Sequence, residues 1–225
     1  MRIFSNFPAW QLLMQSDWMT KLVLTALFSL SVFCGWIVIC KLLALKKEKK
    51  QLKQFMLKVK RVRSVEELVS LSKLFYECSG GRFLIQCLQD LNMILGDSAS
   101  HLSGKDVEQL QMICDQNLEY VIAQEEEFLP VLGTSAAASP LIGLFGTVWG
   151  LIHAFINISQ EKSADIAVIA PGIAEALFTT LAGLFVAIPA LIFFHYFSNE
   201  ARKVEQQLFS ASDAFMSIVK NTFVK

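Results

Sequence analysis

The sequence predicts an all-α, polytopic membrane protein with three transmembrane helices, the last two long and extending into a cytoplasmic helical bundle. Three observations predict it. Hydrophobic residues fill 54% of the 225 positions and charged residues only 18%, against roughly 25% charged in soluble domains. Three stretches nearly free of charge are long enough to cross a hydrocarbon core of about 30 Å, which takes about 20 apolar residues. Basic residues gather after the first of these stretches, although the net charge of the chain is zero.

The first span is expected over residues 21–41. Leu22 to Cys40 is a 19-residue run without charge, bracketed by Lys21 and Lys41. A cleaved signal peptide is the competing reading. The run is longer than a signal h-region, the preceding segment carries Trp10 and Trp18 instead of a basic cluster, and no A-x-A-like site follows. Retention as an anchor fits these residues better.

From Lys41 to Arg63 there are ten Lys or Arg and one acid, Glu48, whereas the first 21 residues hold two basic residues. The positive-inside rule therefore places residues 42–127 in the cytoplasm, residues 1–20 in the periplasm and the tail from residue 200 to 225 in the cytoplasm. Nucleic-acid binding is the other reading of the basic run. The run has no interleaved aromatics and no recognition motif, so a topogenic, lipid-facing role fits better.

The cytoplasmic stretch has no proline and reads as helices. Apolar residues recur at helical spacing in Val65, Leu68, Val69, Leu71, Leu74 and Phe75, and again in Val107, Leu110, Ile113, Leu118 and Val121. Breaks are expected at Gly80-Gly81 and between Gly96 and Gly104, with Ser103 or Asp106 capping the helix that follows. The five cysteines form no CxxC pair, and His101, His153 and His195 are scattered. No zinc or redox site, no phosphate loop and no paired-carboxylate site is predicted, and no cofactor is expected.

The second and third spans, expected over 128–159 and 166–199 around a periplasmic turn at 160–165, outrun the membrane and should project beyond it as continuous helices. Gly143, Thr147, Gly150 and Ala154 keep to one narrow face of the second span. Gly172, Ala176, Thr180, Gly183 and Ala187 do the same on the third, with Thr179 and Glu175 at the edge of that face. Such small-residue seams pack transmembrane helices closely. Glu175 adds something else, because it is the only charged residue among the 34 from Ile166 to Asn199. A carboxylate in hydrocarbon is costly to keep, and it points to ion or proton movement by default. A carboxylate beside a hydroxyl-bearing seam needs partners or water, so the seams of Thr147 and Thr180 are expected to face a polar lumen or a partner helix with Glu175, although a backbone carbonyl would also satisfy either threonine. His153 reads more readily as a satisfied interfacial side chain than as a proton relay.

The stretch from Ser139 to Phe155, SPLIGLFGTVWGLIHAF, resembles the second-span motif of the TolQ/ExbB/MotA proton-channel family, and Ala170 to Ala190, APGIAEALFTTLAGLFVAIPA, resembles its third span. The His153-Ala154-Phe155 ending is more similar to TolQ than to ExbB members. The resemblance implies a stator subunit and not an enzyme, in which proton flow is converted into mechanical work on the cell envelope. It implies a homo-oligomer, a pentamer, around the membrane helix of a TolR-like or ExbD-like single-span partner, with a TolA-like or TonB-like protein receiving the work. It also implies Thr147 and Thr180 as pore threonines and Glu175 as the membrane glutamate. Thr179 and Leu181-Ala182 depart from the family's usual Ala-Thr-Ala run. A non-conducting scaffold, whose seams only pack helices, is the alternative from another class.

Overall fold

In a computed structural model of the chain, residues 17–96, 102–161 and 166–223 are described. Most of the expected periplasmic segment 1–20 and most of the turn at 160–165 lie outside them. The described residues form six helices: α1 (Trp18–Val59), α2 (Val65–Leu74), α3 (Ser79–Leu95), α4 (Gly104–Glu125), α5 (Leu129–Glu161) and α6 (Ile166–Phe223). Three of them, α1, α5 and α6, are long and apolar enough to cross a membrane. The all-α, three-span architecture is the one the composition predicts.

Two helices continue past the span limits drawn from the sequence. The helix of the first span does not stop at residue 41 but continues to Val59. The third span and the C-terminal segment are one helix of 58 residues, with no break at 199–200. The physical reason is the same in both: Lys and Glu are good helix formers, and neither Gly nor Pro interrupts Lys41–Val59 or Phe197–Phe223.

The chain folds as two compact units, Met1–Ile39 with Phe128–Tyr196, and Cys40–Glu127 with Phe197–Lys225. The second unit buries one apolar core. Leu52, Phe55 and Val59 of α1, Leu68 and Leu71 of α2, Phe83, Cys87 and Leu91 of α3, Val107, Leu110, Cys114 and Leu118 of α4, and Leu208, Phe215 and Val219 of α6 all enter it. Phe55 and Phe75 meet edge to face with ring centres 6.0 Å apart, the arrangement that aromatic quadrupoles favour. Of the periodic residues, Val65, Val69 and Ile113 are only half-buried, and Leu74 is 65% exposed because α2 ends there and Phe75 takes the inward position.

Gly80 and Gly81 do not break the chain. They lie in the first turn of α3, and the break falls before it, at Phe75–Cys78. A side chain at Gly80 would run into the Phe55 ring, and one at Gly81 into the Phe75 carbonyl, so close approach explains both glycines. The second expected break is found: α3 ends at Leu95 with Gly96 at φ 53°. There Ser103 is the N-cap of α4 and donates its N–H to Asp106 Oδ2 at 2.8 Å.

Glu48, the single acid of the basic run, has a defined partner. Its Oε1 accepts hydrogen bonds from the Ser79 N–H at 2.8 Å and the Ser79 hydroxyl at 2.5 Å. The Cys78 N-cap makes no side-chain hydrogen bond of its own, so a carboxylate from α1 supplies what the α3 N-terminus lacks. Around it, Arg82 pairs with Glu125 at 3.0 Å, and the Lys41 ammonium donates to the Glu125 carbonyl. Burial raises the Glu125 carboxyl above its ordinary value, and Arg82 only partly offsets this.

In the first unit, Val23 and Leu27 of α1 pack on Val186 of α6, with Ile142 of α5 and Ala182 of α6 against them. Phe128 enters α5 at φ 70°, a left-handed conformation that costs a non-glycine residue about 1–2 kcal/mol. Pro140 lies inside α5, and Pro171 and Pro189 inside α6. Membrane helices tolerate such prolines where neighbouring groups satisfy the freed carbonyls.

Candidate functional site

The two small-residue seams face each other within one chain. A side chain at Gly143 would meet the Thr179 carbonyl at 2.8 Å and the Thr180 Cα at 3.0 Å, and one at Gly183 would meet the Ser139 carbonyl at 2.5 Å. Gly150 lies against Ala176, and Gly172 against Ala154. The obstacles at Gly143 and Gly183 are backbone atoms, which cannot turn aside. Here α5 and α6 touch along their main chains, the geometry that small residues permit. Ala154, Ala176 and Ala187 are buried along the same faces.

Three hydroxyls are folded into this contact. The Thr147 and Thr180 hydroxyls are hydrogen-bonded to each other. Thr147 Oγ1 also reaches the Gly143 carbonyl at 3.1 Å and, across the interface, the Ala176 carbonyl at 3.2 Å. Thr180 Oγ1 reaches the Gly143 carbonyl at 3.2 Å. Thr179, fully buried, donates to the Ala176 carbonyl at 2.7 Å and the Gly143 carbonyl at 3.1 Å. The carbonyls of Gly143 and Ala176 are thus the hubs of a polar cluster inside an apolar span. Thr147 and Thr180 remain half-buried, so each keeps a side open beyond the pair.

Glu175 is one residue before Ala176, at the edge of this contact. Its Oε1 is buried and has no hydrogen-bond partner among the described residues. A buried carboxylate oxygen without a donor is costly, most of all at membrane depth.

Some members of the site escaped the sequence reading. Gly146 belongs to the contact, since a side chain there would meet Thr179 Oγ1 at 2.6 Å. Its spacing of three from Gly143 and four from Gly150 was the available signal. Ser139 is fully buried, with its hydroxyl on the Ser135 carbonyl at 2.6 Å. His153 is satisfied by Asp17, with Nδ1 and Oδ2 2.8 Å apart. No local pattern links those two residues, which are far apart in the chain.

Residues 81–209 match the model of the MotA/TolQ/ExbB proton channel family. The chain is 47% identical over 94 residues to a Tol-Pal system protein TolQ of Haemophilus influenzae, a match covering 42% of this chain and 41% of that protein. It is 41% identical over 106 residues to a TolQ of Pseudomonas aeruginosa, covering 45% and 46%. Matches to these two therefore span less than half of each relative. A biopolymer transport protein ExbB of Salmonella typhimurium is 31% identical over 201 residues, which is 87% of this chain and 80% of that protein. With more than half of the chain inside the family model and a relative matched over most of both lengths, the chain belongs to the MotA/TolQ/ExbB proton channel family.

Proposed function

We propose that this chain is a TolQ-like proton-channel subunit, a stator that couples proton flow to mechanical work on the cell envelope. The observation that carries the reading is the buried, unpartnered Oε1 of Glu175, one residue before Ala176, whose carbonyl lies within reach of the Thr147 hydroxyl. In this reading Glu175 tunes a polar lumen formed between subunits. Thr147 and Thr180 offer their open sides to water or to a carboxyl group on a TolR-like or ExbD-like single-span partner. The glycines and alanines of the seams hold α5 and α6 together as one wall of that lumen.

The subunit forms a homo-oligomer, a pentamer by family resemblance, in the inner membrane and acts on a TolA-like or TonB-like protein. Its N-terminus is periplasmic, and its C-terminus and the 42–127 region are cytoplasmic. The ten-to-one basic bias after Lys41 supports this orientation. An ExbB-like role in outer-membrane import is the second reading, and it is favoured by the 80% coverage of the Salmonella typhimurium protein.

The test is proton flux in vesicles containing the full chain, with and without its single-span partner. Glu175→Gln, which keeps shape but cannot ionise, should abolish or strongly reduce partner-dependent flux while the subunit inserts and assembles normally. Full flux in the Gln variant would remove ionisation of Glu175 from the mechanism. A wild-type chain that conducts nothing with its partner would leave the seams as packing alone. Restoration of envelope integrity against restoration of import, in cells lacking both systems, separates the two roles.

A further inference from the structure

The second compact unit carries two exposed charge stripes of opposite sign. On α1, Lys46, Lys50 and Lys53 are exposed at positions i, i+4 and i+7, which keeps them within about 60° of one another around the helix. On α4, Glu108, Asp115 and Glu119 are exposed at i, i+7 and i+11, within about 40°. Neither stripe joins the ion pairs of this unit, which link Lys47 to Glu77, Lys49 and Lys203 to Glu200, and Arg82 to Glu125. Each stripe includes one exposed apolar side chain, Leu57 at 58% on α1 and Met112 at 64% on α4.

Hydrogen bonds at both ends of the unit fix the register of these helices. At one end the Lys41 ammonium of α1 donates to the carbonyl of Glu125, the last residue of α4. Near that end α1 also meets α6, through Lys49 and Glu200. At the other end the N–H of Leu102, just before α4, donates to the carbonyl of Phe223, the last residue of α6, at 3.0 Å. The helix α4 therefore runs antiparallel to α1. Counted from the Lys41–Glu125 contact at about 1.5 Å per residue, Lys46 lies at about 7.5 Å and Glu119 at about 9 Å, and Lys50 at about 13.5 Å and Asp115 at about 15 Å. Further along, Lys53 lies at about 18 Å and Met112 at about 19.5 Å, and Leu57 at about 24 Å and Glu108 at about 25.5 Å. The two stripes thus match level for level, with a constant offset that the length of a lysine side chain absorbs.

We propose that the α1 lysine stripe of one copy docks on the α4 acid stripe of the next, as a head-to-tail contact of the homo-oligomer; the inference rests on the homo-oligomeric reading above. Lys46 meets Glu119, Lys50 meets Asp115, and the Lys53 stem and Leu57 cover Met112. A rotation about an axis along the helices leaves every residue at its own level, so copies in a ring bring these levels together. This is what selects a second copy as the occupant. An acidic partner would account for the lysines and leave the acids of α4, at the same levels, without a role.

The test uses the full chain in intact membranes, with the exposed Cys40 replaced by Ser. A chain carrying Lys50→Cys, co-expressed with one carrying Asp115→Cys, should give a cross-linked dimer with a short bifunctional thiol reagent. A single chain carrying both substitutions should give a ladder of multimers. No adduct between positions 50 and 115, or a dimer from the Lys50→Cys chain alone, overturns the contact. Charge reversal gives a second readout, the oligomer fraction in mild detergent measured by native mass spectrometry. Lys50→Glu should lower that fraction roughly tenfold, because like charges then face each other, and adding Asp115→Lys to the same chain should restore it. An unchanged fraction in the single variant, or no restoration in the double, also overturns the contact. Partner-dependent proton flux in a chain that gives no 50–115 adduct would strike this interface and leave the channel reading standing. Cross-linking as described without flux would strike the channel reading and uphold the interface.

Discussion

The hydroxyls of Thr147 on α5 and Thr180 on α6 are hydrogen-bonded to each other, and both also lie within hydrogen-bond reach of the Gly143 carbonyl. The candidate pore residues and the helix-packing residues are therefore one cluster. Changing the hydroxyls and changing the glycines should have different signatures.

Thr147→Val and Thr180→Val each remove a hydroxyl while nearly keeping the shape. Hydrogen bonds between membrane helices are worth about 0.6 kcal/mol on average and up to about 1.7 kcal/mol. Because the two residues share a bond, the double variant should lose less than the sum of the singles. Reversible unfolding in mixed micelles measures this. Strictly additive losses would show that the two hydroxyls act independently.

Gly183→Ala should be more damaging than either hydroxyl loss. Its new Cβ would sit 2.5 Å from the Ser139 carbonyl, and overpacking of this kind typically costs about 1–3 kcal/mol. Gly35→Ala, with open space at the Cβ position, should stay within about 0.5 kcal/mol of the parent. Comparable effects at the two positions would mean that α5 and α6 are less closely apposed than described.

Glu48→Ala removes the acceptor for the Ser79 N–H and hydroxyl. Loss of a helix cap costs about 0.5–2 kcal/mol, and the first turn of α3 should exchange its amide hydrogens faster. Lys47→Ala breaks only the exposed pair with Glu77 and should change little. Equal protection of α3 in the Glu48 variant and the parent would rule out the cap.

Glu200 gives the second compact unit a defined acid response. Burial works against its ionisation, but hydrogen bonds and charge from Lys49 and Lys203 outweigh it and hold the carboxyl below its ordinary value of 4.5. A depressed carboxyl contributes stability above that value and loses it as the pH falls through the folded-state value. Stability should therefore decline on acidification below about pH 4.5, and Glu200→Gln should flatten this part of the curve. Unfolding midpoints of both proteins between pH 3 and 7 decide it, and identical slopes would count against the pairing.

The spans, the seams and the polar cluster differ in how far the chain itself announces them. Leu22 to Cys40 and the run around Glu175 are legible because hydrocarbon excludes charge, a property of composition over some 20 residues. The face shared by Gly143, Thr147 and Gly150 is legible because helical periodicity fixes azimuth within a helix. Gly146 followed the same rule and could have been read. The extension of α1 to Val59 is a matter of local propensity in a run without Gly or Pro, and the topological reading of its charges hid it.

What the sequence alone determined is the membrane class, the three spans, the helical period of each seam and the isolation of Glu175. What only the tertiary structure decided is which surface each seam meets. Periodicity orients side chains about one axis and says nothing of the distance or rotation of a second helix. Whether Thr179 reaches the Gly143 carbonyl at 3.1 Å, or Glu48 reaches Ser79 across 31 positions, depends on that second axis. Packing fixes it, through backbone contact at Gly143 and Gly183 and through the need of every buried hydroxyl and helix end for a partner.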